Sequence, residues 1–197
     1  MEVREIREKY PYLYETHLHT REASACAKNS AQEMVQAAKD YGYAGIFVTN
    51  HAWYGNTSVD RSLPWEEWVH GFCAPFYTAK AYGDQIGLSV FFGYESCYQG
   101  TEFLIYGVDE EWLLTHPEIK DATITEQLQL VREQGGLVMH AHPFREEAYI
   151  PRVRLFPELV DGVEGINATH SSHLSTSHND PRFDERAIAY AREHDLP

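Results

Sequence analysis

Tyr12-Leu13-Tyr14-Glu15-Thr16-His17-Leu18-His19-Thr20 is an apolar-aromatic run that closes on two histidines. A β-strand sends alternate side chains to opposite faces, so His17 and His19 project the same way. Two neutral imidazoles on one strand need little reorganisation to chelate an ion such as Zn, Fe, Ni or Cu. The plain alternative is a polar strand end with two solvated histidines. What stands at the ends of the later strands decides between them.

Working outward, the loop Arg21 to Asn29 leads into Ser30-x-x-Glu33, a capping box that satisfies amide groups at a helix start. The spacing of Ala31, Met34, Val35 and Ala38 predicts a helix to about Tyr41, ended by Gly42. Ala44 to Thr49 reads as a buried parallel strand ending in Asn50-His51, which completes a βαβ unit. Pro64 suits a first helical position and opens a helix to about Tyr82; Ile86 to Tyr94 then reads as a strand terminated by Glu95. Glu102 to Tyr106 is a neighbouring strand and Asp109 to Leu114 a short helix. Thr123-x-x-Glu126 opens a helix that stops at Gly135-Gly136. Leu137 to His142 is an apolar strand halted by Pro143, Val163 to Asn167 a weaker one, and Asp180-Pro181 caps a helix ending near Asp195. This is the rhythm of an α/β domain, and no interdomain linker interrupts it, so residues 1–197 read as a single domain.

In parallel α/β architectures the carboxyl ends of the strands share one rim, where active sites are built. Here those ends carry His17 and His19, His51, Glu95, His140 and His142, and Asn167. Strand after strand ending in a metal-ligating or polar residue selects the metal reading.

Composition narrows the function. With 43% hydrophobic and 13% aromatic residues in 197, a substantial core is expected. Thirty acidic against 16 basic residues give a net charge of −14, which opposes nonspecific binding to nucleic acid or an anionic membrane. Cys26, Cys73 and Cys97 are too few and scattered for a disulfide framework, so a cytoplasmic location is expected. The charged N-terminal stretch lacks the apolar core of a secretory signal, and no run approaches the ~18 apolar residues of a membrane span.

The ordered motifs T-H-L-H, V-T-N-H, F-G-Y-E, H-A-H-P-F and V-E-G-I-N resemble those of the polymerase-and-histidinol-phosphatase (PHP) family of metal-dependent phosphoesterases, over nearly the whole chain. The resemblance implies a distorted seven-stranded β/α barrel with two or three divalent ions, usually Zn, Mn or Fe, and hydrolysis of phosphate esters. Carried over by residue, His17 and His19 correspond to ligands of one ion, Glu95 to a carboxylate bridging it to a second, His142 to a ligand of that second ion and His51 to a ligand of the third. A carboxylate bridge offsets repulsion between cations about 3.5–4 Å apart, and such a pair activates water while clamping phosphate. His140, on the same strand face as His142, is a candidate supporting partner or substrate contact.

Several positions depart from the family pattern. Where relatives carry Asp or His past the first pair, this chain reads Ala23-Ser24-Ala25-Cys26-Ala27, making Cys26 a substitute ligand or an inert thiol. The usual T-D-H is Thr49-Asn50-His51. A histidine near Phe103 is absent, which leaves Glu102 as a replacement. The family's last strand, carrying G-S-D-x-H, has no counterpart, so the barrel is expected to be incomplete at its C-terminal side. His170, His173 and His178 are candidates to replace those ligands, from the same chain or from a second copy in a homo-oligomer; solvated loop histidines are the alternative. Arg145 and Arg21 are candidate phosphate contacts, since guanidinium matches phosphate oxygens, with surface ion pairs as the competing reading. Trp53, Tyr54, Trp65 and Trp68 form either a substrate wall or aromatic core.

The expectation is hydrolysis of a small-metabolite phosphomonoester by water activated on the ions, with short oligonucleotides as the nucleic-acid exception and no membrane partner. Two alternatives stand beside it. One is a truncated or degenerate PHP domain that binds metal or phosphate without turnover. The other is an amidohydrolase-like hydrolase, whose family usually bridges its metals with a modified lysine where this chain has Glu95.

Overall fold

The computed structural model describes residue 5 and residues 8–175 and 178–197. The architecture is mixed α/β. Among the described residues there are six strands, β1 (Tyr14–Leu18), β2 (Gly45–Val48), β3 (Ser89–Tyr98), β4 (Thr101–Tyr106), β5 (Leu137–Ala141) and β6 (Gly162–Val163). Five α-helices accompany them: α1 (Ala31–Asp40), α2 (Trp65–Ile86), α3 (Glu110–Thr115), α4 (Ile124–Glu133) and α5 (Arg182–Glu193). No helix among the described residues is long and apolar enough to cross a membrane. The chain divides into two compact units, Met1–Tyr94 with Asp109–Thr115, and Glu95–Val108 with His116–Pro197.

In the first unit β1, β2 and β3 run parallel. Ser30 and Glu33 form the predicted capping box on α1, whose buried Val35 and Ala38 pack with Ile46, Val48 and Val90 of the strands. Parallel strands covered by helices bury apolar residues on that face, which is why β2 reads as a continuous apolar run. Between Glu15 and Leu18, β1 carries a bulge: Glu15 pairs with Ile46 but Leu18 with Val48. A bulge adds a residue on one side of the ladder and re-aims the side chains beside it, here Thr16 and His17.

Helix α2 is longer than its periodicity suggests, ending at Ile86 with Gly87 in the left-handed conformation (φ 71°). Gly83 does not stop it, because the missing side chain lets the helix approach β3. A Cβ at Gly83 would lie 2.6 Å from Val90 Cγ2 and 2.7 Å from Leu88 O. Gly83→Ala is therefore expected to lower stability by about 1–2 kcal/mol, since overpacking costs about 1–3 kcal/mol and the helix regains at most about 1. A urea midpoint unchanged or raised in the variant would contradict this packing. Trp53, Trp65 and Trp68 form core rather than a substrate wall: Trp53 and Trp68 are buried, Trp65 stacks on Trp68, and Trp65 Nε1 donates to Leu113 O at 2.8 Å.

In the second unit the end of β3 turns into β4 through Gln99 and Gly100, both at positive φ (52° and 81°), a geometry that suits the twist of a tight hairpin. This hairpin is why β3 runs four residues beyond Tyr94, so that Glu95 lies within the strand instead of terminating it. Strand β4 is antiparallel to β5, pairing Glu102 with Ala141 and Phe103 with His140; β5 and β6 are parallel. β6 is shorter than expected, although Glu164 N still donates to His140 O of β5 at 2.9 Å while the Glu164 side chain accepts from His142 N.

Candidate metal centre

In the first unit the parallel pairing of β1 and β2 brings their carboxyl ends side by side. Leu18 N donates to Thr49 Oγ1 at 2.9 Å, and Thr49 N to Leu18 O at 2.8 Å. One residue further along, Thr20 N donates to Asn50 Oδ1 at 2.7 Å, and that oxygen also accepts from Ser24 Oγ at 3.0 Å. Asn50, where the family motif has Asp, is thus a buried strap between the ends of two strands and the following loop. On this base the ring of His51 stacks on that of His19, 4.4 Å between centroids and 13° between planes.

His17 Nε2 and His19 Nε2 lie 3.1 Å apart, although β1 carries a bulge beside His17 and ends at Leu18, one residue before His19. Ser24 Oγ donates to Asn50 Oδ1 at 3.0 Å and lies 3.5 Å from His19 Nδ1, so the same strap reaches this histidine. His19, Cys26 and His51 bring ligand atoms within 4.8 Å of one another. Cys26 thus joins the histidines. Arg21, by contrast, is exposed and paired with Glu33 Oε2 at 3.5 Å, which favours the surface ion pair over a phosphate contact.

In the second unit His142 Nε2 lies 3.0 Å from Glu95 Oε1 and 3.4 Å from Glu102 Oε2. The antiparallel register explains Glu102: the second residue of β4 stands opposite the last residue of β5, next to His142. All three side chains are buried or nearly so, at 0% exposure for Glu95, 2% for His142 and 10% for Glu102. Unneutralised buried charge is expensive, and two carboxylates with one imidazole are a donor set for Mn, Fe or Zn. The residues therefore fit a divalent ion.

His142 has φ 28°, in the left-handed region that a residue before proline ordinarily avoids. Two hydrogen bonds hold it there: His142 N donates to Glu164 Oε2 at 2.8 Å, and Arg145 N donates to His142 O at 3.0 Å. Asn167 Nδ2 in turn donates to Glu164 Oε1 at 3.1 Å. Strain of this kind is kept where surrounding contacts over-determine it, commonly at functional sites. Glu164 is a positioning residue not singled out from the sequence, although the V-E-G-I-N motif contains it.

The other histidines separate by role. His140 is buried between Phe103, 4.8 Å between centroids, and Phe156, and burial pushes its pKa down to about 3. Its surroundings are those of aromatic core, and no three-ligand group among the described residues includes it. His170 Nδ1 lies 2.5 Å from Asp184 Oδ1, and Arg145 Nε donates to His170 Nε2 at 3.5 Å. Both ring nitrogens are engaged, and no three-ligand group among the described residues includes His170. Burial lowers its pKa, with the Asp184 hydrogen bond opposing. Asp184 is the partner the sequence hides, being one of many acids in a helix's first turn. Arg145 also reaches Thr169 Oγ1 at 3.4 Å. His178 pairs with Glu147 at 2.6 Å instead of with any candidate ligand.

By sequence, no family model and no curated protein matches this chain. By structure, it is similar to a protein from Bifidobacterium adolescentis assigned as a metal-dependent phosphoesterase, at TM-score 0.59 and 13% identity over 94% of this chain and 85% of that one. It is also similar to a two-domain protein from Bacteroides vulgatus containing a predicted PHP-like metal-dependent phosphoesterase, at TM-score 0.65 and 15% identity over 93% of this chain. The match spans about half of that longer protein, 49% of its length. An amidohydrolase from Chromobacterium violaceum, with bound sulfate and no metal, matches at TM-score 0.58 and 11% identity over 93% of this chain and 84% of that one. The motifs and the fold agree: the chain has the fold of the PHP-like metal-dependent phosphoesterases.

Proposed function

We propose that this chain is a metal-dependent hydrolase that cleaves a phosphomonoester of a small metabolite, with His17, His19, His51, Glu95 and His142 as metal ligands and Glu102 and Cys26 as added ones. The observation that carries this reading is the buried set in which His142 Nε2 faces Glu95 at 3.0 Å and Glu102 at 3.4 Å. Divalent ions, when bound, supply Lewis acidity that polarises a phosphoryl oxygen and makes water nucleophilic near neutral pH. The chain's own part is to hold ligand atoms in place: Asn50 ties the ends of β1 and β2, and Glu164 fixes the strained backbone of His142. Arg145 is the proposed phosphate contact. Among the described residues it makes no ion pair with a carboxylate, and its two side-chain contacts are long, at 3.5 and 3.4 Å, so exchanging them for phosphate oxygens costs little. The acidic chain, at net −14, suits a small anion led in by local cations better than a long polyanion.

The test is metal content by elemental mass spectrometry on tag-free protein purified without chelator, followed by phosphomonoester assays. Two or more equivalents of divalent metal, reduced in His17→Ala, with turnover that chelator abolishes, are expected. Metal without turnover on any phosphomonoester would leave a binding domain instead. The amidohydrolase neighbour supports a second reading, hydrolysis of a carboxylic ester or amide, and turnover of such substrates alone would select it.

A further inference from the structure

We propose that Cys26 is a thiolate ligand of an ion held together with His19 and His51, and that this nitrogen-and-sulfur set makes the position selective for a thiophilic ion such as zinc over manganese. The inference rests on the metal-dependent reading above, but not on phosphoester turnover.

Three ligand-bearing residues from separate parts of the chain place ligand atoms within 4.8 Å of one another. Zn–N distances of about 2.0 Å and Zn–S of about 2.3 Å put the ligand atoms of a tetrahedral ion about 3.3–3.5 Å apart, so side-chain torsions alone can close the set. The backbone holds Cys26 where it is. Ala27 N donates to Ser24 O at 3.1 Å, closing a turn across Ala25 and Cys26, and Ala25 N donates to Asn56 O at 2.8 Å, tying that turn to the segment after β2. Ser24 Oγ accepts from His51 N at 3.0 Å, so the loop bearing the thiol also seats the second histidine.

Gly55 leaves room for the ring of His51. A Cβ there would lie 3.0 Å from His51 Cβ and 3.1 Å from its Nδ1, so any side chain would press on the imidazole. Cys26 is exposed, unlike the buried Cys73, which leaves its sulfur accessible to an incoming ion. Soft thiolate with imidazole favours zinc, whereas manganese favours carboxylate and water.

Cobalt(II) titration of metal-free protein tests this, because sulfur coordinated to cobalt gives a near-ultraviolet charge-transfer band that nitrogen and oxygen ligands do not. The expected result is that band in the wild type and in Cys97→Ser, and its loss in Cys26→Ser. Zinc affinity at this position in Cys26→Ser should fall by more than the roughly 10- to 100-fold that loss of an outer-shell partner costs. Cys26→Asp should bind without the band and with its preference moved toward manganese. Cobalt bound with no band in the wild type, or a band that survives Cys26→Ser, overturns the proposal while leaving the phosphoesterase reading intact. A band without phosphomonoester turnover has the opposite meaning, and no cobalt binding at all sinks both.

Discussion

Glu95→Gln is expected to remove metal-dependent phosphomonoester hydrolysis while the protein stays folded. Glu95 is fully buried, its Oε1 lies 3.0 Å from His142 Nε2, and glutamine reproduces its volume to within an atom. The packing around the side chain should therefore survive. What changes is charge: an amide oxygen is a weaker ligand than a carboxylate and brings no negative charge to a divalent ion that Glu95 would hold. Metal Lewis acidity supplies several kcal/mol of transition-state stabilisation, and at 1.36 kcal/mol per factor of ten this predicts a loss of about a thousandfold or more in kcat/KM. The measurements are kcat/KM on a generic phosphomonoester, metal content, and circular dichroism of the same preparation. Activity within tenfold of wild type at unchanged metal content would remove Glu95 from the centre. Lost activity with a lost fold would instead show a structural role, which Glu95→Asp, keeping the charge and shortening the reach, then separates by a partial recovery of metal.

The sequence carried the strand-end histidines because their signal is local. His17 and His19 are two apart, His142 precedes a proline, and His51 closes an apolar run, so period and position alone place each one. Capping boxes were legible for the same reason: Ser30 with Glu33, and Thr123 with Glu126, are satisfied within four residues. Glu102 and Cys26 were visible only as departures from a family pattern, since what brings them to the histidines is the antiparallel register of β4 in one case and a turn pinned to Asn56 in the other. Glu164 and Asp184 were not legible. Each acts through a backbone amide or a ring nitrogen more than ten residues away, and an acidic residue in a chain of 30 acids does not stand out. Element ends depart from local pattern where tertiary contacts override it. The helix expected to end near Tyr82 continues because Gly83 permits close packing, and Glu95 looks like a strand stop but precedes a hairpin.

His140 and His142 are the sharpest case of this, because one strand places both and only their surroundings tell them apart. His140→Phe is expected to keep metal content and activity within tenfold of wild type and to make the metal-free protein more resistant to acid. The ring of His140 is nearly parallel to that of Phe103, at 28°, and 1% exposed, so an aromatic hydrocarbon of similar shape fits the same space. Its pKa falls from 6.5 to about 3, chiefly because burial disfavours the charged ring and secondly because His142 stands nearby. In the unfolded chain the imidazole takes up a proton near pH 6.5, while in the folded chain it stays neutral. Below that pH the unfolded state binds more protons, so stability is lost as pH falls from about 6.5 toward 3, at up to about 1.4 kcal/mol per pH unit, and the loss levels off below the folded pKa. Phenylalanine has no proton to take up, so the variant's unfolding midpoint should fall less steeply over that window, whereas above pH 7 the two proteins should differ by less than about 1.5 kcal/mol. A bound cation near His142 would depress the His140 pKa further and leave the sign unchanged. His142→Phe, by the same substitution two residues along, should lose the metal. Denaturation series from pH 7 to pH 4 on both variants settle the matter: parallel acid sensitivity in wild type and His140→Phe would place the titrating group elsewhere, and metal loss in His140→Phe would make His140 a ligand after all.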